Sequence, residues 1–126
     1  MSTASHTLIV LTTGKQDRGT RATLAFSWGC TSLAMGENVT LFLTMDGAVW
    51  GLKNAPKHVE VGGFEPLSNY IEQFLALGGE LLLCAPCSEY YCSMGDDSLS
   101  GLHPEIQLAG LATIVAKSNK SKVVTM

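Results

Sequence analysis

Three short apolar runs punctuate the chain: Thr7 to Thr13 (TLIVLTT), Asn38 to Thr44 (NVTLFLT) and Glu80 to Leu83 (ELLL). None alternates in the way of a strand with one wet face. A continuous apolar run bounded by turn residues is the pattern of a strand buried on both sides, and such strands build parallel sheets covered by helices. The intervening segments have a helical period. Ala22, Ala25, Phe26, Gly29, Cys30, Leu33 and Ala34 form one stripe, closed by Gly36. Pro66 opens a second, with Leu67, Tyr70, Ile71, Phe74 and Leu77, closed by Gly78 and Gly79. Beyond Cys84 the pattern predicts a short helix over 85–91, a short strand within 103–108, a helix over 109–117 and a last strand over 122–126. Lys53 to Glu65 has weak periodicity and reads as loop. The alternation predicts an α/β fold: a three-layer α/β/α sandwich on a mostly parallel sheet of about five strands, as one domain over 1–126.

Hydrophobic residues make up 46% of the chain and charged residues 15%, against about 25% in average domains. That composition excludes a disordered chain. It also leaves an apolar surplus to cover, and Leu24, Trp28 and Met35 lie on the far side of the first helical stripe, so a homo-oligomer is expected. The net charge of −3 gives nucleic acid no electrostatic footprint. No run of about 18 apolar residues exists, so no membrane partner is expected. Met1 to His6 has neither the basic start nor the apolar run of a signal peptide, which predicts a cytoplasmic protein.

In that compartment the four cysteines are not expected to form structural disulfides. Cys84, Cys87 and Cys92 fall within nine residues. Ligand sites of parallel α/β sheets lie outside the carboxyl ends of the strands. The first run delivers Thr13, Gly14, Lys15, Asp17 and Arg18 to that edge. The second delivers Thr44, Asp46 and Gly47, and the third delivers Cys84 and Cys87. Cys84 stands where a strand hands over to a helix, a setting that favours the reactive thiolate. Cys87, one turn on, is placed to form a resolving disulfide with it, or simply to pack as a small apolar residue. Cys92 is less well placed, and Cys30 falls on the buried helical stripe.

A lone Cys-x-x-Cys has no second ligand pair, so no metal is expected, and no role falls to the three histidines. The loop Gly14 to Gly19 lacks the ending of a P-loop and the spacing of a dinucleotide fingerprint, so no nucleotide cofactor is expected. Lys15, Arg18 and Arg21 form a small basic cluster. It either supports an anion or a thiolate charge, or is a solvated loop. Asp46 either caps the turn at Gly47 or acts as a base.

The chain resembles the DsrE/DsrF-like family, which includes sulfur-relay proteins. The matching pieces are Thr12-Thr13-Gly14, Asp17, Arg21-Ala22, Ala25-Phe26, Phe42-Leu43-Thr44 with Asp46-Gly47, Tyr70-Ile71, Phe74, Leu77-Gly78-Gly79 and Cys84-Ala85-Pro86-Cys87. They occur in the right order over nearly the whole chain. The resemblance implies a small α/β/α domain that assembles into oligomers. It also implies that Cys84 takes sulfur from a donor protein as a persulfide and passes it to an acceptor. Such transfer is thiolate attack on a sulfur–sulfur bond. The chain departs from the TusD-type pattern after the cysteine. Pro86-Cys87-Ser88-Glu89-Tyr90-Tyr91-Cys92 stands where a basic, glycine-containing turn is usual, and no Lys or Arg follows until Lys117.

Three functional readings follow. The first is a sulfur carrier or sulfurtransferase-like protein with its persulfide on Cys84, helped by Cys87. The second is a dithiol redox protein cycling Cys84 and Cys87. The third is a non-catalytic module that binds a small ligand or a partner protein.

Overall fold

A computed structural model describes residues 5–91 and 101–126. Five strands, β1 (His6–Leu11), β2 (Asn38–Leu43), β3 (Glu80–Cys84), β4 (Gln107–Ala109) and β5 (Lys122–Thr125), form one sheet in the order β4-β3-β2-β1-β5. Every pairing in the sheet is parallel, where the sequence predicts a mostly parallel one. The helices are α1 (Thr20–Ala34), α2 (Leu67–Ala76), α3 (Ala85–Tyr91) and α4 (Leu111–Ser118). Helix α1 packs on β1 and β2, and α2 packs against α1. Helix α4 returns the chain from β4 at one edge to β5 beyond β1. A right-handed crossover in that reversed direction takes it across the opposite face. The three layers follow.

The continuous apolar runs are the buried centre. Leu8, Ile9, Leu11, Leu41, Phe42, Leu43, Leu81, Leu82 and Leu83 are all buried. Phe26 and Phe74 meet edge to face with centroids 5.8 Å apart. Phe74 reaches that place because Gly29 leaves room: a Cβ there would lie 2.8 Å from the ring. Cys30 donates its S–H to the Tyr70 carbonyl at 3.3 Å, joining α1 to α2. Burial pushes its thiol up to about 11, with Glu65 adding to the shift. It is packing, as its place on the stripe predicts.

Differences from the sequence reading lie at the edges. Strand β4 is three residues long and begins at Gln107, and Ala109 is still paired with Cys84. Helix α4 therefore starts at Leu111 rather than Ala109. Residues 53–65 contain turns only, as expected. A 3₁₀ segment, Met45–Gly51, has no periodic signal in the sequence. It carries Trp50, which is buried and donates Nε1–H to the Thr13 carbonyl at 3.0 Å. Leu24, Trp28 and Met35 stay exposed and border a groove of about 790 Å³ between α1 and α2, with Phe64 and Leu77 across from them.

The ends of the three central strands are level. Leu11 pairs with Leu43, and Leu43 with Leu83. The 3₁₀ segment docks on this edge through Gly47, whose amide donates to the Thr12 carbonyl at 3.1 Å and the Thr44 carbonyl at 2.9 Å. A Cβ at Gly47 would collide with the Leu11 carbonyl, which the sheet holds in place. Gly47→Ala is therefore expected to lower stability by roughly 2 kcal/mol or more. Gly62→Ala, with open space around it, should stay within about 0.5 kcal/mol of the parent. Denaturant midpoints check both, and equal midpoints would contradict the docking described.

Candidate functional site at the carboxyl end of the sheet

Because β2 and β3 end level, Thr44 follows β2 beside Cys84, the last residue of β3. Helix α3 starts at once and carries Cys87 one turn later, on the same side. Helix α3 also packs on the 3₁₀ segment Met45–Gly51. The result is a small enclosed cluster of Cys84, Cys87, Thr44 and the Met45 backbone. Cys84 is 4% exposed and Cys87 8%. Both are free thiols.

The hydrogen bonds in the cluster are not symmetric. The Met45 amide donates to Cys87 Sγ at 3.2 Å. The Thr44 hydroxyl lies 3.6 Å from the same sulfur. A backbone N–H can only donate, so the Met45 bond favours the thiolate form of Cys87. Met45 makes this bond from a left-handed backbone conformation, with φ of 53°. For Cys87, burial raises the pKa. Hydrogen bonds from the Cys84 thiol, the Thr44 hydroxyl and the Met45 amide together outweigh burial and bring it below the ordinary thiol value. For Cys84, burial and its role as donor to Cys87 raise the pKa above that value. The Thr44 hydroxyl and the Cys87 amide oppose the rise without cancelling it. With the Met45 amide on its sulfur, Cys87 is thus the thiolate-prone member of the pair and Cys84 the more protonated one.

The other predicted residues sit on the same edge but not in the cluster. Asp17 caps α1. Its carboxylate accepts from the Gly19 amide (3.1 Å) and the Arg21 amide (3.0 Å), and pairs with the Arg21 guanidinium at 3.3 Å. Asp46 accepts from the Gln16 side chain at 3.3 Å, and Gln16 in turn accepts from the Gly14 amide at 2.8 Å. That chain ties the loops after β1 and β2 together. Asp46 makes no cap at Gly47, whose amide is taken by the two carbonyls named above. Lys15 and Arg18 line a separate hollow with Trp50. No ion pair or hydrogen bond joins Lys15, Arg18 or Arg21 to either cysteine among the described residues. Cys92 lies outside the described residues. No group of His, Cys, Asp and Glu able to hold a metal is found among the described residues. Nor is any described helix long and apolar enough to cross a membrane. Sequence reasoning placed Thr44 on this edge without giving it a role, and it missed the Met45 amide altogether.

A parallel α/β/α sandwich with a cysteine as the last residue of its third strand defines a class of small sheet-edge thiol proteins. The model of the DsrE/DsrF-like family matches residues 6–126, and the chain belongs to that family. Among solved structures it is similar to the YchN protein of E. coli, with a TM-score of 0.72 and 14% identity over 98% of this chain and 100% of that one. It is also similar to the protein of unknown function MTH1491 from Methanobacterium thermoautotrophicum, with a TM-score of 0.67 and 12% identity over 98% and 100% of the two chains. A third is the conserved protein of unknown function BT1422 from Bacteroides thetaiotaomicron, with a TM-score of 0.58 and 15% identity over 95% and 94%. No curated protein matches the chain. At these identities the likeness is one of fold.

The asymmetry predicts which thiol reacts. Among Cys30, Cys84 and Cys87, iodoacetamide at neutral pH should label Cys87 first, with Cys84 and Cys30 following only on unfolding. The rate should fall as pH drops through the lowered Cys87 pKa, because only the thiolate attacks. Thr44→Val, which keeps the shape and removes the hydroxyl, should move that pH midpoint upward. Peptide mapping of the labelled protein checks the order, and preferential labelling of Cys84 would contradict it.

Proposed function

We propose that this protein is a cytosolic sulfur carrier whose persulfide forms on the Cys84–Cys87 pair and passes to a partner protein. Membership of the DsrE/DsrF-like family supports a sulfur-relay-like role at the level of the family. The observation that carries the finer reading is the Met45 amide 3.2 Å from Cys87 Sγ, beside a second free thiol. A carrier needs a thiolate at neutral pH, and this arrangement favours one.

The steps balance without an external oxidant. The Cys87 thiolate attacks the outer sulfur of a donor persulfide. The new Cys87 S–S bond forms, the donor S–S bond breaks, and the donor leaves as thiolate while the proton stays with the transferred sulfur. An acceptor thiolate then attacks that outer sulfur, and Cys87 leaves as thiolate again. The reading from sequence gave the persulfide to Cys84. The hydrogen bonds favour Cys87 as first attacker and Cys84 as its proton-bearing neighbour. Both sulfurs are nearly enclosed, so transfer requires the segments over them to open.

The proximity of the thiols also favours a second reading, a dithiol that cycles through a Cys84–Cys87 disulfide. In a persulfidated protein the same geometry lets Cys84 attack the inner sulfur, closing the disulfide and releasing the outer sulfur as sulfide. A homo-oligomer is part of the proposal. Leu24, Trp28 and Met35, exposed by 43%, 41% and 76%, supply apolar surface for a second copy.

Intact and native mass spectrometry after treatment with a small-molecule persulfide test these points together. The parent should gain roughly 32 Da, the mass of one sulfur. Cys87→Ser should lose most of that uptake, and Cys84→Ser should accumulate the persulfide. Undiminished uptake by the double variant would overturn the carrier reading. A stable disulfide with no added sulfur would favour the redox reading. Native spectra showing only monomers at micromolar concentration would remove the oligomer.

A further inference from the structure

The sheet edge has a second concave feature, apart from the cysteines. Lys15, Arg18, Lys57 and His58 line a hollow of about 410 Å³ with Trp50 at its base. Glu60 is the one carboxylate on its wall. The ion pairs among the described residues are Arg21–Asp17, His103–Glu72, Lys117–Glu80 and Lys122–Glu37. None involves Lys15, Arg18 or Lys57. Three cations therefore border one small space without an ion-pair partner among the described residues. The chain as a whole is acidic and has only eight Lys and Arg in total. Gathering like charges costs free energy unless an anion joins them.

The backbone around the hollow is held in an uncommon form. Arg18 (φ 61°) and His58 (φ 65°) are two of the three non-glycine residues with positive φ among the described residues. Such residues persist where their surroundings enforce them, and they cluster at ligand clamps. The enforcing contacts are present. The Arg18 amide donates to the Lys15 carbonyl at 3.0 Å, and the Leu67 amide donates to the Val59 carbonyl at 3.0 Å. The Val59 side chain closes over Gly19, leaving no room for a Cβ there, and the Trp50 ring lies beside it. The Trp50 ring is itself fixed by its bond to Thr13. The four basic residues come from two loops, one after β1 and one after the 3₁₀ segment, and these loops are pinned against each other.

We propose that this hollow binds a small anion carrying a phosphate- or sulfate-type oxyanion group, with Lys15, Arg18 and Lys57 as its charge partners. A guanidinium fork suits such oxygens, and the lysines add point charge. The volume lies at the lower end of the roughly 300–1,000 Å³ of small-molecule sites. The hollow belongs to the carboxyl-end rim where α/β sheets hold ligands. Trp50 and Met45 mark opposite ends of one 3₁₀ segment. At about 2 Å per residue that sets the hollow roughly 10 Å from the cysteine cluster. The proposal stands on its own residues and does not depend on sulfur transfer.

Inorganic phosphate and sulfate serve as probes, and tryptophan fluorescence of the full chain reads their binding. Trp28→Phe leaves Trp50 as the sole reporter. A saturable change that persists in Trp28→Phe and weakens with added sodium chloride is expected. Joint replacement Lys15→Ala and Lys57→Ala should weaken phosphate binding about tenfold or more. Lys57→Arg should keep it. The two lysines are exposed, so melting curves of these variants should match the parent. No saturable change in Trp28→Phe, or equal affinity in the double lysine variant, would overturn the proposal.

Discussion

The Gly47 amide bonds the Thr12 carbonyl at the end of β1, and that contact docks the turn after β2 onto the neighbouring strand. What lies beyond it is arranged by this docking. It starts the 3₁₀ segment against the level ends of the three central strands. It seats Trp50 beneath the loop after β1. It holds Met45 in a left-handed conformation, with its N–H directed at Cys87. Without a glycine at 47 the backbones cannot approach so closely, and the thiol pair loses its fixed donor.

The chemistry follows from donors that do not move. A thiolate in a nearly closed site is costly unless hydrogen bonds replace its water. Here the Met45 amide and the Thr44 hydroxyl are placed to supply them to Cys87. Among the described residues no lysine or arginine contributes. The basic residues of the edge are engaged elsewhere: Arg21 at the cap of α1, Lys15 and Arg18 at the hollow over Trp50. One rim thus separates a thiol cluster from a cationic hollow, with the 3₁₀ segment between them.

Much of the fold is legible in the sequence because burial writes itself into period. The three apolar runs are the central strands, and the stripe ending at Gly36 is α1. The cysteine after ELLL sits at the strand-to-helix junction that its position implies. The partners of that cysteine are far less legible. Thr44 meets the thiols only because β2 and β3 end level, and register is a property of the assembled sheet. Met45 gives no sign of positive φ, since such positions are usually signalled by glycine or asparagine. Asp17, two residues before Gly19 and the start of α1, had a local signal for capping that a reading directed at charge passes over. Lys57 and His58 join Lys15 and Arg18 from a stretch with only weak periodicity.

The thiol pair is polarised, with Cys87 the more acidic member and Cys84 the more protonated one. Carbon-13 labelling of the cysteine Cβ atoms and an NMR pH titration of the intact protein test this directly. The account predicts that the Cys87 signal shifts at a pH below that of an ordinary thiol while Cys84 and Cys30 stay protonated to higher pH. A titration in which Cys84 ionises first, or in which both ionise together at the ordinary thiol value, would contradict it.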